Sequence, residues 1–313
     1  MAEPNAQSEL MQRLMAQMSS GQVPTDIPSL RRMLDDFAPL LNTDPPKVGA
    51  LHEDVLVREI GGARVTADVL VPDRAGPHPV LVYLHGGGWV AGSPRTHRKL
   101  GLRFAEAGYL VVNVDYRLAP EAPFPAPFED CVFAVRWAAQ NAARFGGDAR
   151  RLAIGGDSAG GNLSAAVAAH LAGDPSAPKL SAALLIYGAF DFERLATQEA
   201  DPAMGDPAIA RKLTGAMIDG YLGSPRDPAR LRDPRVSPVH AAAKLPPSFL
   251  VVGTLDPLHT HQSALAEALE RAGVAHENVV VPGMPHGFVQ YEFLPPALDT
   301  IRRMTAFLDR HLR

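Results

Sequence analysis

Residues 156–161 read Gly156-Asp157-Ser158-Ala159-Gly160-Gly161, and they are the strongest signal in the sequence. An apolar run, 152–155, comes directly before it, and a helical pattern, 163–171, follows it. A serine between a strand and a helix must lie on a very sharp turn. Glycine two residues to either side lets the backbone pass where a Cβ would clash. We therefore predict that the turn raises the Ser158 hydroxyl above the end of a sheet, as a nucleophile requires. The alternative is an ordinary strand-to-helix turn in which Ser158 has no catalytic role.

Short apolar runs recur along the chain, separated by helical patterns. They cover 79–84, 109–114, 152–155, 182–187, 249–252 and 278–281. Continuous apolar runs of this length suit strands covered on both faces, and their alternation with helices predicts a mostly parallel sheet. Two more β-rich segments, 54–60 and 63–71, flank a Gly-Gly pair and predict an antiparallel hairpin at one edge. The sequence thus predicts an α/β fold with about eight strands and helices on both faces.

Two parts of the chain do not fit this alternation. Residues 190–238 hold no strand-like run and are too many for a plain loop, while two helical patterns precede the first strand. We interpret both parts as a helical cap over the sheet. The predicted domains are 1–50 (N-terminal cap helices), 51–189 (first part of the catalytic core), 190–238 (cap insertion) and 239–313 (second part of the core).

A glycine-rich motif, His85-Gly86-Gly87-Gly88-Trp89, follows the 79–84 run. Three consecutive glycines are costly unless backbone N–H groups must closely approach a ligand. Acyl transfer needs such donors, because its tetrahedral intermediate carries an oxyanion. We predict that the N–H groups of Gly87 and Gly88, with that of Ala159, form an oxyanion hole. His85, at the end of the strand, is assigned a structural role.

A serine nucleophile needs a base, and in this fold the chain order is Ser, then Asp or Glu, then His. Asp256 follows the apolar run around 249–252, at the strand end where catalytic groups gather. His286 lies in a loop just past the last strand. We therefore predict Ser158, His286 and Asp256 as nucleophile, base and orienting acid. The competing histidines are less well placed; they are His259, His261 and His276.

Composition excludes several classes of function. The 313-residue chain has a net charge of −4, so a nucleic-acid partner is not expected. The single cysteine, Cys131, has helical core spacing, excludes an intrachain disulfide and fits a reducing compartment. No signal peptide or membrane span is evident, so the expected location is the cytoplasm. A His259/His261 pair lacks a suitable third ligand, and we expect no metal.

Several motifs in order resemble those of one family. They are His85-Gly-Gly-Gly-Trp89, Asp115-Tyr-Arg-Leu-Ala-Pro-Glu121, Phe124-Pro125, Gly156-Asp-Ser-Ala-Gly-Gly161, Asp256-Pro-Leu258 and His286-Gly-Phe288. From about Val55 to the C-terminus, the chain resembles the hormone-sensitive lipase family, whose bacterial members are called family IV esterases, and within it the Gly-Asp-Ser-Ala-Gly subgroup. The resemblance implies an α/β-hydrolase core with a cap, hydrolysis of short- to medium-chain acyl esters, and no metal or organic cofactor.

The resemblance also implies roles outside the triad. Asp115, Arg117 and Glu121 would brace loops, and dimers of the subgroup pair the last strand, here 278–281. The segment after Asp256, Pro257-Leu258-His259-Thr260, departs from the family's common Arg-Asp pair. Ala122 stands where the family commonly has a histidine, and both departures affect pocket detail. We expect the substrate pocket to be lined by Trp89, Leu258, Phe288 and the cap. The cap's contribution would include Met11, Met15 and Met18, or these methionines simply pack one helix.

Three other functions stay open. A peptidase or amidase could use the same triad, although the resemblance favours esters. A long-chain lipase would need an apolar lid, whereas the predicted cap is rich in Asp, Arg and Lys. Plant gibberellin receptors resemble this family and only bind a ligand, but they have lost the triad histidine, which is present here as His286.

Overall fold

The computed structural model describes residues 24–199 and 206–313, and its centre is one eight-stranded sheet. The spatial order of the strands is β1-β2-β4-β3-β5-β6-β7-β8. Their bounds are β1 (Ala50–Ile60), β2 (Ala63–Val71), β3 (His78–Leu84), β4 (Leu110–Asp115), β5 (Gly147–Asp157), β6 (Ala182–Ile186), β7 (Ser248–Gly253) and β8 (His276–Val281). The predicted fold class and strand number are confirmed.

Strand directions follow the predicted pattern. β1 and β2 form an antiparallel hairpin whose turn, Gly61-Gly62, has positive φ at both residues. β2 also runs antiparallel to β4, whereas β3 to β8 are all parallel. The carboxyl ends of the parallel strands therefore meet at one edge, where the loops after β3, β5, β7 and β8 can converge.

Helices cover both faces of the sheet in the described residues. They are α1 (Ile27–Leu41), α2 (Arg98–Glu106), α3 (Ala126–Asn141), α4 (Ala159–Leu171), α5 (Phe192–Thr197), α6 (Pro207–Leu222), α7 (Pro228–Leu231), α8 (His259–Arg271) and α9 (Pro295–Leu312). One apolar core lies between the sheet and α3, α4 and α8, and a second lies between the sheet and α2 and α9. Every residue of β3 and β7 is buried, which explains their continuous apolar runs.

β5 is longer than its apolar run suggests. It begins at Gly147, because Gly147 and Asp148 pair with the start of β3 across a register irregularity. Arg150 and Arg151 interrupt the apolar pattern there, and both bond to Asp148. Because these residues are polar, the hydrophobic pattern does not predict this part of the strand.

Helix α1 begins with a capping box between Asp26 and Ser29 and is held against the body of the protein by Arg31. The Arg31 guanidinium donates to the carbonyls of Val90 and Ala119 and to the Glu121 carboxylate. This ties α1 to the loops after β3 and β4. The earlier helical pattern that contains Met11, Met15 and Met18 lies outside the described residues.

The family resemblance also assigns a bracing role to Arg117 and Asp115. The Arg117 guanidinium makes two hydrogen bonds to the buried carboxylate of Asp130. Asp115 ends β4, and burial raises the pKa of its carboxyl to about 6, with Asp54 and Asp68 adding negative charge nearby. Cys131 is fully buried, and burial raises the pKa of its thiol.

The described part of 190–238 contains α5, α6 and α7 and no strand, and α6 contacts α1. The described parts of the two segments assigned to a cap therefore meet where α1 contacts α6. A membrane-crossing helix, long and apolar enough for a bilayer, is absent from the described residues.

Candidate active site

Ser158 lies on a strained turn between β5 and α4. Its φ of 55° and ψ of −118° are unusual for a residue with a Cβ, and such strain clusters at functional sites. The turn is held because the Ser158 N–H donates to the Ile186 carbonyl at 2.8 Å. A Cβ on Gly156 or Gly160 would lie 2.4 or 1.9 Å from the Leu84 carbonyl oxygen. The two glycines are therefore required by the close approach of β3.

His286 and Asp256 come from the loops after β8 and β7 and meet Ser158. His286 Nε2 lies 2.9 Å from Ser158 Oγ, and His286 Nδ1 lies 2.8 Å from Asp256 Oδ2. The other oxygen of Asp256 accepts the Leu258 N–H at 2.7 Å, which orients the carboxylate. The structure thus brings together the three residues that the sequence selects, in one hydrogen-bonded chain.

The electrostatics of this chain favour a basic imidazole. Burial opposes a charge on His286, but the Asp256 carboxylate and its hydrogen bond outweigh that effect and raise the pKa of His286 above 6.5. The buried Asp157 carboxylate adds to the rise. About a third of the His286 side chain is exposed, so the ring can meet a ligand.

Among the described residues, no side-chain hydrogen bond joins the competing histidines or His85 to Ser158 or Asp256. His259 is the first residue of α8. His85 is fully buried, stacks on Tyr116 at 4.3 Å, and burial lowers its pKa to about 3. His276 Nδ1 faces the Val274 carbonyl. His261 is buried in the first turn of α8 and bonds to Gln198. His85 therefore has the structural environment that its place at the strand end suggests.

The glycine-rich loop bends over the nucleophile. Gly87, Gly88 and Trp89 all have positive φ, and the N–H groups of Val90 and Ala91 donate to the Gly87 carbonyl. The N–H groups of Gly87 and Gly88, and that of Ala159, have no hydrogen-bond acceptor among the described residues. Gly88 and Ala159 line the same cavity as Ser158.

The buried carboxylate of Asp157, the residue before the nucleophile, connects the turn at Ser158 to the glycine-rich loop. Asp157 accepts from the Tyr83 hydroxyl at 2.9 Å, the Gly86 N–H at 3.1 Å and His97 Nε2 at 3.1 Å. These contacts keep the carboxylate charged: burial opposes ionisation, yet His97 and Tyr83 lower the pKa of Asp157 below its usual value. Sequence reasoning missed this role, although a charged residue at the end of an apolar strand was a usable signal.

A cavity of about 570 Å³ opens above Ser158 and His286. Trp89 and Leu258 line it, as the sequence predicts. Phe288 lies elsewhere: it is fully buried beside Tyr187, because the chain turns inward after Gly287, where φ is 79°. The segment 190–238 supplies most of the remaining wall. Its lining residues in the described part of the chain are Leu195, Ala196, Thr197, Gln198, Glu199, Ala210, Arg211, Thr214, Gly215, Met217, Ile218 and Arg226.

Within residues 24–199 and 206–313, no group of three or more His, Cys, Asp or Glu side chains is arranged to hold a metal ion.

Comparison with known proteins identifies the family. A family with the alpha/beta hydrolase fold matches residues 81–290. The chain is 40% identical to the carboxylesterase NlhH of Mycobacterium tuberculosis over 75% of this chain and 74% of that protein. It is 36% identical to the ethyl acetate hydrolase of Pseudomonas putida over 74% and 73% of the two chains. The chain belongs to the hormone-sensitive lipase-like family of α/β hydrolases.

Structural similarity agrees with this assignment. An esterase of Pyrobaculum calidifontis superposes with a TM-score of 0.84 at 29% identity, covering 96% of this chain and 99% of that one. The protein is accordingly a carboxylic ester hydrolase. The triad geometry and the donors described above belong to this esterase's candidate active site.

Asp157→Asn tests the buried carboxylate. The change removes the negative charge and places an amide among donors, so we expect a loss of about 3–5 kcal/mol in the free energy of unfolding, measured by urea denaturation. Tyr83→Phe removes one donor to the same carboxylate and leaves the charge in place, so it should cost less, about 1.5–3 kcal/mol. Equal losses in the two variants would contradict a role for the charge itself.

Proposed function

We propose that this esterase hydrolyses short- to medium-chain acyl esters through Ser158, His286 and Asp256, with an acyl-enzyme intermediate. The observation that carries the proposal is the 2.9 Å contact between Ser158 Oγ and His286 Nε2, with Asp256 on the other ring nitrogen. A hydroxyl is a weak nucleophile until a base takes its proton, and this geometry supplies that base.

The reaction proceeds in two halves. Ser158 Oγ attacks the ester carbonyl carbon while His286 Nε2 takes the hydroxyl proton, and Asp256 stabilises the resulting imidazolium. The tetrahedral intermediate collapses as His286 returns the proton to the departing alcohol, leaving the acyl group on Ser158. Water then attacks the acyl-enzyme with His286 again as base. The second tetrahedral intermediate collapses by breaking its bond to Ser158 Oγ, His286 returns the proton to that oxygen, and the carboxylic acid is released.

The N–H groups of Gly87, Gly88 and Ala159 are the proposed oxyanion donors. The absence of acceptors for them within the described residues supports this role, because it leaves these N–H groups free to donate to a substrate oxyanion. Asp157 would fix the geometry of the oxyanion hole, because its carboxylate accepts the Gly86 N–H and the residue directly precedes Ser158.

The cap and the cavity support a preference for small esters. We propose that α1 and residues 190–238 form the cap over a core of 51–189 and 239–313. The cavity volume of about 570 Å³ suits a small ester better than a triglyceride. The relative named ethyl acetate hydrolase is consistent with short esters. A binding-only role is less well supported, because His286 is present and contacts Ser158.

Hydrolysis of p-nitrophenyl esters from acetyl to palmitoyl tests the activity and its chain-length range. We expect rapid turnover of short esters, fading as the chain lengthens, and a loss on the order of 10⁴ or more in kcat for Ser158→Ala. Ser164→Ala is the matched control, because Ser164 is a buried serine of α4 whose hydroxyl has no partner among the described residues. Undetectable turnover by the folded wild type would favour ligand binding instead.

The pH dependence of kcat/KM tests His286 as base. Only the neutral imidazole can accept the proton, and its pKa is raised above 6.5, so activity should fall as the pH drops through a value above 6.5. Asp256→Asn removes the main cause of the rise. It should move this limb to lower pH and reduce kcat by on the order of 10⁴. A profile that stays flat down to pH 5 would argue against His286 as base.

We also propose that the protein forms a homodimer through β8, its last strand. In the described residues β8 pairs only with β7, and Val280 is 41% exposed on it. An open apolar edge invites pairing with a second copy. Light scattering at micromolar concentration should give a dimer mass for the wild type and a monomer mass for Val280→Lys. A sharp monomer peak for the wild type would exclude this dimer.

A further inference from the structure

Gln198, just after α5, lies in the wall of the cavity that contains Ser158. It is the last member of a short hydrogen-bonded chain. The Asp191 N–H donates to His261 Nδ1 at 3.3 Å, and His261 Nε2 lies 3.0 Å from Gln198 Oε1. His261 is fully buried, and the chain runs from the start of α5, through α8, back to the end of α5.

This chain of hydrogen bonds determines the orientation of the Gln198 side-chain amide. A backbone N–H can only donate, so His261 Nδ1 must be the unprotonated nitrogen. The ring is neutral at ordinary pH, since burial lowers the pKa of His261 to about 4. Its one proton is therefore on Nε2, which donates to the amide oxygen of Gln198. The amide nitrogen of Gln198 then faces away from His261 with two N–H groups.

No described residue accepts a hydrogen bond from that nitrogen. The surrounding wall offers further donors in Arg211 and Thr214, while Leu195 and Ile218 make it partly apolar. Glu199 is the acidic residue in the same wall. An alkyl chain that packs against Gln198 would displace water from the amide N–H groups without supplying an acceptor. The loss of these hydrogen bonds would weaken substrate binding.

We propose that Gln198 Nε2 is a specificity-determining donor for esters with a neutral acceptor oxygen away from the scissile bond. The substrate class is a keto, ether or second-ester group on the acyl or alcohol part. His261 is the positioning residue, because it acts through Gln198. This inference rests on the proposed function, since it takes Ser158 in the same cavity as the nucleophile.

The test compares kcat/KM within two pairs of nearly isosteric substrates. The acyl pair is p-nitrophenyl 4-oxopentanoate against p-nitrophenyl 4-methylpentanoate, and the alcohol pair is 2-methoxyethyl acetate against butyl acetate. The ratio within a pair cancels general losses of activity. Gln198→Leu should lower the oxygenated-to-alkyl ratio of at least one pair about two- to tenfold, the worth of one neutral hydrogen bond. Gln198→Glu, which keeps the shape and the contact to His261, should lower it likewise.

His261→Leu frees the amide to turn and should lower the same ratio. Combined with Gln198→Leu it should add little, because both changes remove one interaction. Lys212→Leu, an exposed residue of α6 outside the cavity wall, is the control and should keep the wild-type ratio. Unchanged ratios in Gln198→Leu and Gln198→Glu, with the wild type still hydrolysing the alkyl esters, would overturn the role of Gln198 but not the proposed function. Retained activity in Ser158→Ala would instead overturn the proposed function.

Discussion

The close approach between the turn at Ser158 and the end of β3 is the constraint on which the site depends. The Leu84 carbonyl lies where a Cβ of Gly156 or Gly160 would have to be. Only glycine permits this packing, and the packing forces Ser158 into its strained conformation. It also places the residues after Leu84, the glycine-rich loop, directly beside the nucleophile. One backbone contact thus brings the nucleophile and the proposed oxyanion donors together.

A buried negative charge stabilises this junction. Asp157 has its carboxylate between Tyr83 and His97 and accepts the first N–H of the glycine-rich loop. Such a charge is costly in an apolar interior unless several donors surround it, and four do, with the Gln290 amide the most distant at 3.5 Å. It also favours the protonated form of His286, so the charge that orders the loop contributes to the basicity of the ring.

The sequence predicts much of this because the relevant signals are local. Strand runs, the turn at Ser158 and the order of the motifs predict the sheet and single out the residues that the structure brings together. The exceptions depend on tertiary contacts. The start of β5 is polar and becomes a strand only through pairing with β3. Phe288 follows His286 directly, yet the turn at Gly287 sends it into the core rather than the cavity. Gln198 lies in a segment without periodicity, and the amide contact that orients it comes from His261, far along the chain.

The histidines show why residue type alone does not assign a role. His85, His261 and His286 have the same side chain and lie near the same end of the sheet. Burial without a carboxylate contact lowers the pKa of His85 to about 3 and that of His261 to about 4, so both are neutral scaffolding at ordinary pH. His286 also loses solvent, but its direct bond to Asp256 reverses the effect of burial and raises its pKa. Of these three histidines, only His286 has a direct hydrogen bond to a carboxylate, and the fold decides which of them receives it.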